Sequence, residues 1–345
     1  MSQQSPEINL QNTAQNLISG SQKYSPTIYK PHKIDRRKKG TFWRHMLAGG
    51  VSGAVSRTVV APIERVKIIL QTQNLFRVAE HEKYKGFFDA IMRIPKEQGF
   101  LSLWRGNGTN VLRIAPNIAM RFAVYDKFKS YFIQKENNQS EVKKVFYHVL
   151  CGLSSGVLTM AVNYPFDVIR VRLSVDMTTK ESVINNKRQY NGFMDCFKKM
   201  IKNEGLKSLY QGYTFSLLGL APYLAISFST YDFLKNLYNI NTIDPNDQSN
   251  MMAQIITYMG IGSVAGGVAQ LITQPLDVIR RRLQVNGGVN HERLYKGGID
   301  CIKKTIRNEG IKGLYIGVVP NLIKIVPAAS IQFTVFDTFK NFVFE

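Results

Sequence analysis

Cysteine and histidine are scarce in this chain of 345 residues. Its three cysteines form no Cys-x-x-Cys pair, and its five histidines are scattered. The sequence therefore contains neither a disulfide framework nor the ligand spacing of a zinc site, and we expect no metal site. The GxSxG, HExxH and Walker A patterns are also missing. Without a catalytic motif of these types, the sequence does not favour an enzyme.

Acidic residues are also few, which leaves a strong positive charge. Lysine and arginine number 45 against 24 aspartates and glutamates, giving a formal net charge of +21. Such an excess favours an anionic partner, which can be nucleic acid, lipid headgroups, or a substrate that carries phosphate or carboxylate.

The amino-terminal segment has no hydrophobic run. Residues 1–41 are polar and include the basic cluster Arg36-Arg37-Lys38-Lys39. We expect a disordered tail and no secretory signal. An arginine-rich targeting presequence is a weaker alternative.

A motif of the form P-x-[DE]-x-x-[KR] occurs three times. It begins at Pro62, Pro165 and Pro275, in the segments APIERVKIILQ, YPFDVIRVRLS and QPLDVIRRRLQ. Each copy is followed, in the same order, by an aromatic-x-Gly, by a segment such as NEGLKSLYQG, and by an aromatic-acid-x-x-Lys. Four signatures repeated in one order define a unit of about 100 residues.

Two long apolar stretches lie within each unit. They fall near 43–71 and 106–132, 145–174 and 212–237, and 254–284 and 317–342. Each is long enough to cross a bilayer when tilted. Each also carries isolated charges, as expected when one helix face lines a polar cavity. A soluble helical repeat is the alternative, but this period matches no common solenoid.

These motifs resemble the mitochondrial carrier family over residues 42–342. The resemblance implies an all-α membrane protein with six tilted transmembrane helices in a threefold pseudo-symmetric barrel and three short matrix helices. It divides the chain into a tail, 1–41, and carrier repeats 42–139, 140–246 and 247–345. It also implies a multi-pass monomer of the mitochondrial inner membrane, with both termini toward the intermembrane space, that works by alternating access.

Charged residues of the proline motifs are expected to form a gate on the matrix side. Glu64 and Lys67 lie three residues apart and share a helix face, so the residues alone allow local surface pairs. The resemblance implies pairing between helices instead, as a ring of Glu64, Lys67, Asp167, Arg170, Asp277 and Arg280. Gln71 and Gln284 would brace this ring, whereas the second repeat has Ser174 at that position.

A second gate is expected on the cytoplasmic side. The resemblance implies that it consists of Asp126, Lys129, Asp232, Lys235, Asp337 and Lys340. Tyr125 and Tyr231 would brace it, and Phe336 has no hydroxyl with which to do so.

Glycines at predicted helix starts are expected to bind cardiolipin as a structural lipid. Helix N-termini offer free N–H groups to phosphate. The resemblance assigns this role to Gly86, Gly106, Gly192, Gly212, Gly297 and Gly317. No other cofactor is expected.

The resemblance places substrate contacts three residues before a proline that recurs in each unit. Arg113 and Lys324 would bind an anionic group, and Gly219 would offer a flat apolar shelf. An interhelical ion pair is the alternative for each isolated cation. With the neighbouring side chains, the expected substrate-binding residues are Arg57, Arg113, Gly219, Leu220, Tyr223 and Lys324.

This combination is similar to that of carriers of coenzyme A and ATP. The segment PIERVKIILQ also resembles the ADP/ATP carrier, but the third repeat reads RRRLQV where that carrier shows RRRMMM. We expect exchange of adenine-containing nucleotides such as coenzyme A, ADP, ATP or AMP. Another anionic solute (phosphate, a carboxylate or a thiamine pyrophosphate-like compound) and a proton-leak homologue remain alternatives. Nucleic-acid binding is not expected, because the basic residues border hydrophobic stretches instead of forming a polar face.

Overall fold

The computed structural model describes residues 39–76, 80–132, 141–176, 188–238, 251–288 and 293–344. The chain divides into a unit Met1–Trp43 and a unit Arg44–Glu345, and the architecture below is that of the second. Most of the predicted tail 1–41 lies outside the described residues, so its disorder stays a prediction.

The described residues form α-helices, short 3₁₀ turns and no strand, as the predicted all-α class requires. In chain order, the α-helices are α1 (Lys39–Thr72), α2 (Phe87–Gln98), α3 (Asn107–Leu112), α4 (Ile114–Phe132), α5 (Glu141–Val175), α6 (Phe193–Glu204), α7 (Tyr213–Leu237), α8 (Met251–Val285), α9 (Gly298–Glu309), α10 (Val318–Ile323) and α11 (Ile325–Phe344). The 3₁₀ turns are Gln73–Leu75, Glu80–Glu82, Phe100–Trp104, Leu206–Tyr210 and Ile311–Tyr315.

Each sequence repeat supplies a long helix, a short helix and a second long helical segment. The short helices α2, α6 and α9 follow the long helices α1, α5 and α8. In the first and third repeats the second segment is interrupted, at Arg113 and at Lys324. Pro116 and Pro327 follow these breaks by three residues, and each removes an N–H that would bond four residues back.

Four helical segments are long and apolar enough to cross a membrane. They are Met46–Leu75, Leu206–Leu237, Ile256–Val285 and Ile311–Phe336. Large apolar side chains such as Val59, Leu218 and Phe228 are exposed along them, which suits a surface that faces lipid. The other two predicted spans, 106–132 and 145–174, are helical but are not among these four within the described residues.

The motif prolines lie inside the long helices α1, α5 and α8. Proline lacks the N–H that would bond to the carbonyl four residues earlier. For Pro62 that carbonyl belongs to Thr58, and the indole N–H of Trp104 donates to it at 2.8 Å. A side chain from the next helical segment thus satisfies the group that the proline frees, as a helix in lipid requires.

The buried core lies where the short helices pack against the ends of the long ones, a region we call the short-helix end. In the first repeat Ile69 and Leu70 of α1 pack with Ala90 and Ile94 of α2. Equivalent clusters join α5 to α6 and α8 to α9. Packing is therefore concentrated at this end.

Three buried arginines connect the repeats in a cycle at the short-helix end. Each donates from Nε to the backbone carbonyl of the residue nine positions after the next repeat's motif proline. The bonds run from Arg65 to Ser174 (3.0 Å), from Arg172 to Gln284 (3.0 Å) and from Arg282 to Gln71 (3.1 Å). The three acceptors are related by the threefold pseudo-symmetry, and so are the donors Arg172 and Arg282, whereas Arg65 lies one helical turn earlier in its repeat.

Candidate functional site

The charged residues of the proline motifs form ion pairs between different long helices. Their side chains lie largely out of solvent: that of Asp167 is 4% exposed and that of Lys67 is 7% exposed. The pairs are Glu64 with Arg170, Asp167 with Arg280, and Asp277 with Lys67 at 2.6 Å. Each pair joins two repeats, so together they link all three helices across the short-helix end.

Two glutamines reach carboxylates of this ring. Gln284 Nε2 lies 3.1 Å from Asp167 Oδ2, and Gln71 Nε2 lies 3.4 Å from Asp277 Oδ2. Ser174 takes the corresponding place in the second repeat, but its hydroxyl donates to the backbone carbonyl of Arg170 at 2.8 Å. Buried carboxylates need such hydrogen bonds to offset their lost hydration.

Two of the three cations expected to bind substrate contact the ring in this structure. Arg113 Nη1 lies 3.1 Å from Asp167 Oδ1, and Lys324 Nζ lies 3.2 Å from Glu64 Oε1. Arg57 Nη1 donates to the backbone carbonyl of Asn110 at 3.3 Å. Asp167 and Glu64 therefore each hold a gate cation and one of these two substrate cations.

Arg281 is a member of this network that the sequence reasoning missed. Its Nη1 lies 3.2 Å from Asp167 Oδ2 and 2.9 Å from Gln284 Oε1. Ile68 and Val171 occupy the equivalent positions of the other repeats, so the run of three arginines was the available signal. Within the described residues, six cations contact only three carboxylates, which leaves this region with an excess of positive charge.

A cavity of about 220 Å³ lies beside this charged region. Gly219, Leu220 and Tyr223, the predicted shelf, line it. Residues that the sequence reasoning missed also line it, among them Met160, Gln270 and Thr273. Sites for drug-sized ligands enclose about 300–1,000 Å³, so this cavity suits one ring system better than a complete nucleotide.

The predicted cytoplasmic gate is only partly described. Tyr231, Asp232 and Lys235 lie on α7. The side chains of Tyr125, Asp126, Lys129, Asp337 and Lys340 lie outside the described set. Pairing within this gate stays a prediction.

Glycines expected to bind lipid line two further cavities between repeats. One of about 270 Å³ includes Gly106 and Gly192, and one of about 520 Å³ includes Gly212 and Gly297. Basic side chains line both cavities: Arg105 and Arg188 in the first, Arg293 and Lys296 in the second. Gly86 and Gly317 precede α2 and α10.

The threefold helical repeat, its apolar spans and a buried ring of interhelical ion pairs define a membrane carrier. Residues 38–136, 141–242 and 252–345 match the family described as mitochondrial carrier protein. The chain belongs to the mitochondrial carrier family, which has a six-helix carrier fold.

Curated relatives cover most of this chain. It is 37% identical over 305 residues to mouse ADP/ATP translocase 4, which covers 88% of this chain and 91% of the relative. It is 34% identical over 315 residues to the mitochondrial adenine nucleotide transporter ADNT1 of Arabidopsis thaliana, with 86% of each chain covered. It is 34% identical over 317 residues to the human mitochondrial adenyl nucleotide antiporter SLC25A24, covering 92% of this chain but 61% of that longer relative.

Proposed function

We propose that this protein exchanges adenine nucleotides across the mitochondrial inner membrane by alternating access. One observation carries the proposal: cations are in excess at the ring of ion pairs, and the cavity beside it is of a size to hold one aromatic base. Cations attract the phosphates, and the shelf of Gly219, Leu220 and Tyr223 accepts the base. The names of the relatives agree with this substrate class.

Substrate binding would be coupled to opening of the ring through shared cations. Arg113 and Lys324 now contact Asp167 and Glu64. A polyphosphate that enters the cavity competes with those carboxylates for the same cations. Binding of the polyphosphate to these cations then weakens the closed state of the ring. A ligand shifts an equilibrium between two conformations only when it binds one of them better than the other.

From family membership we also propose how the carrier is gated and oriented in the membrane, and which lipid it binds. The ring at the short-helix end would be the matrix gate. The charged residues near the end of the second long segment of each repeat, the predicted cytoplasmic gate, would close the cytoplasmic side. Both termini would face the intermembrane space. The protein would act as a monomer, with cardiolipin in the cavities that begin at the glycine turns and are lined by basic side chains.

Exchange by purified protein in liposomes that contain cardiolipin tests this function. Vesicles are preloaded separately with ADP, ATP, AMP, coenzyme A, phosphate or a dicarboxylate, and uptake of labelled ADP is followed. We expect uptake only with adenine-containing preloads, and their ranking identifies the exchanged pair. Uptake driven only by phosphate or the dicarboxylate would overturn the nucleotide assignment while leaving the carrier mechanism in place.

A further inference from the structure

We propose that the side-chain amide of Gln270 selects the purine base by accepting a hydrogen bond from a 6-amino group and disfavouring a 6-oxo group. The inference rests on the proposed nucleotide exchange and assigns base recognition to a residue outside the predicted shelf. Gln270 lines the 220 Å³ cavity together with Gly219 and Tyr223.

The position that Gln270 occupies in its repeat carries a different side chain in each of the three repeats. Gln270 lies five residues before Pro275, as Arg57 and Met160 lie five before their own motif prolines. Gln270 and Met160 both line the cavity, one with an amide and the other with an apolar side chain. A base in this cavity therefore meets apolar contacts from Met160 and Leu220 and a hydrogen-bonding amide from Gln270.

The orientation of the Gln270 amide is set by its neighbours. Gln274 Nε2 donates to the carbonyl of Ile316 at 2.9 Å, so Gln274 Oε1 must be the acceptor end of that side chain. Asn321 Nδ2 donates to this oxygen at 2.8 Å, and Gln270 Nε2 donates to it at 3.2 Å. Reversing the Gln270 amide would place two acceptor oxygens against each other and lose this partly buried hydrogen bond.

This orientation leaves a defined pair of groups for the base. The hydrogen bond to Gln274 is the only one that the described part of the chain gives to the Gln270 side chain. Oε1 is therefore available as an acceptor, and the second N–H of Nε2 is available as a donor beside it. Thr273 cannot replace this pair, because its hydroxyl donates to the carbonyl of Ala269 at 2.8 Å.

An adenine ring complements this pair and a hypoxanthine ring does not. The 6-amino group donates to an amide oxygen while a ring nitrogen accepts from the amide N–H, a pairing that glutamine makes with adenine elsewhere. A 6-oxo group would set an acceptor against Oε1. A site built to hydrogen-bond one substrate group rejects analogues that lack it, because its own polar atoms are left unpaired.

Exchange in liposomes with ADP, IDP and purine riboside diphosphate, which has no substituent at C6, tests the inference. The wild-type protein should prefer ADP over IDP by about tenfold or more, with the unsubstituted nucleotide between them. In Gln270→Met, which copies the residue at the equivalent position of the second repeat, the three rates should converge. Met160→Leu is the matched control in the same cavity and should keep the wild-type ratio of ADP to IDP.

Thermal shifts of the detergent-purified proteins on adding ADP or IDP provide a second readout that does not depend on transport. If Gln270→Met keeps the wild-type ratio, or if wild-type protein takes up IDP or the unsubstituted nucleotide as well as ADP, the role of Gln270 is wrong while nucleotide exchange stands. If the wild-type protein exchanges no nucleotide, both this inference and the proposed function fail. If the Gln270 variant does not fold, the wild-type comparison of three nucleotides still tests the inference, because equal rates would overturn it.

Discussion

At the scale of single residues, Arg65 and Gln98 set the first repeat apart from the other two. In the second and third repeats Arg172 and Arg282 pair with Glu204 and Glu309 through both terminal guanidinium nitrogens. In the first repeat Arg65 Nη2 donates to the amide oxygen of Gln98 at 2.7 Å. Among the residues that the structure describes, Arg65 Nη1 and Gln98 Nε2 are both buried without a hydrogen-bond partner.

Gln98→Glu should therefore stabilise the protein. The new carboxylate replaces an orphaned donor with an acceptor for Arg65 Nη1, and a hydrogen bond between charged groups contributes about 1.5–3 kcal/mol. Part of this gain is lost to desolvation of the carboxylate, so we expect Tm in detergent to rise by roughly 2–4 °C. Glu204→Gln makes the opposite change in the second repeat and should lower Tm. An unchanged Tm in both variants would contradict the account of this pair.

Arg113 and Lys324 are the residues whose loss should affect transport most directly. Arg113→Ala and Lys324→Ala each remove a charged contact to the proposed polyphosphate, so nucleotide uptake should fall by at least about tenfold. Folding should survive, because Asp167 keeps Arg280 and Glu64 keeps Arg170. Initial uptake rates and Tm in detergent measure the two effects. Lys207→Ala, an exposed lysine in the Leu206–Tyr210 turn, is the control for the loss of one charge.

At the scale of helices and turns, Gly212 fixes how the second long segment of its repeat begins. Its φ of 80° is in the left-handed region, and a Cβ there would lie 2.9 Å from the carbonyl oxygen of Arg280. This turn therefore brings the start of α7 against the ring-bearing part of α8. A side chain would push the two apart.

Gly212→Ala should destabilise the protein more than Gly317→Ala. Both glycines adopt the left-handed conformation, with φ of 80° and ψ of 4° at Gly212 and φ of 86° and ψ of 10° at Gly317. The three atoms nearest to a Cβ on Gly317 belong to the flexible side chain of Gln71, at 3.1 Å or more, whereas a Cβ on Gly212 would meet the backbone carbonyl of Arg280. Both variants carry the backbone strain, which is about 1–2 kcal/mol, and Gly212→Ala adds the contact with backbone. The Tm values of the two variants in detergent measure this difference, and equal losses would show that the close approach to Arg280 has no energetic weight.

The cysteines of the short helices should be unreactive in the native protein. Cys196 in α6 and Cys301 in α9 are fully buried. Burial raises the pKa of Cys196 to about 12 and that of Cys301 to about 11. Because only the thiolate reacts, these shifts lower the reactive fraction near neutral pH by roughly 100-fold or more.

Near neutral pH, a maleimide dye should therefore label these thiols only when heat unfolds the short helices. Raising the pH toward the shifted pKa values should increase the thiolate fraction and speed labelling of native protein. Met194→Cys places a thiol at an exposed position of α6 and should react at once, as a positive control. Rapid labelling of Cys196 or Cys301 in the native wild-type protein near neutral pH would contradict this packing.

At the scale of the whole molecule, the sequence predicted the architecture because each repeat carries its own signals. Prolines, glycine turns and apolar stretches are local features, and three copies in phase define six long helical segments. The partners of buried polar side chains were harder to predict. Arg281 contacts Asp167, which is 114 residues away, and Gln270 lines the 220 Å³ cavity because α7 and α8 lie side by side. Such contacts depend on how helices are arranged, and the helical period does not encode that arrangement.

The two glutamine braces should set how firmly the whole carrier is held closed at the short-helix end. Gln284 bonds to Asp167, to the Tyr164 hydroxyl at 3.1 Å and to Arg281 at 2.9 Å. In the described part of the chain, the Gln71 side chain makes two longer bonds, of 3.4 and 3.3 Å. A net hydrogen bond contributes about 0.5–1.5 kcal/mol, so Gln284→Ala should lower Tm without substrate more than Gln71→Ala does.

The Gln284→Ala substitution should also change the exchange rate, because the two glutamines stabilise only the state in which the ring is closed. Weakening that state lowers the differential binding that substrate must supply to open it. Where ring opening limits the exchange rate, Gln284→Ala should exchange faster than wild type despite its lower Tm. Paired measurements of initial exchange rate and Tm test this relation. A variant that loses stability and exchange activity together would show that Gln284 supports the fold as a whole and not the closed state alone.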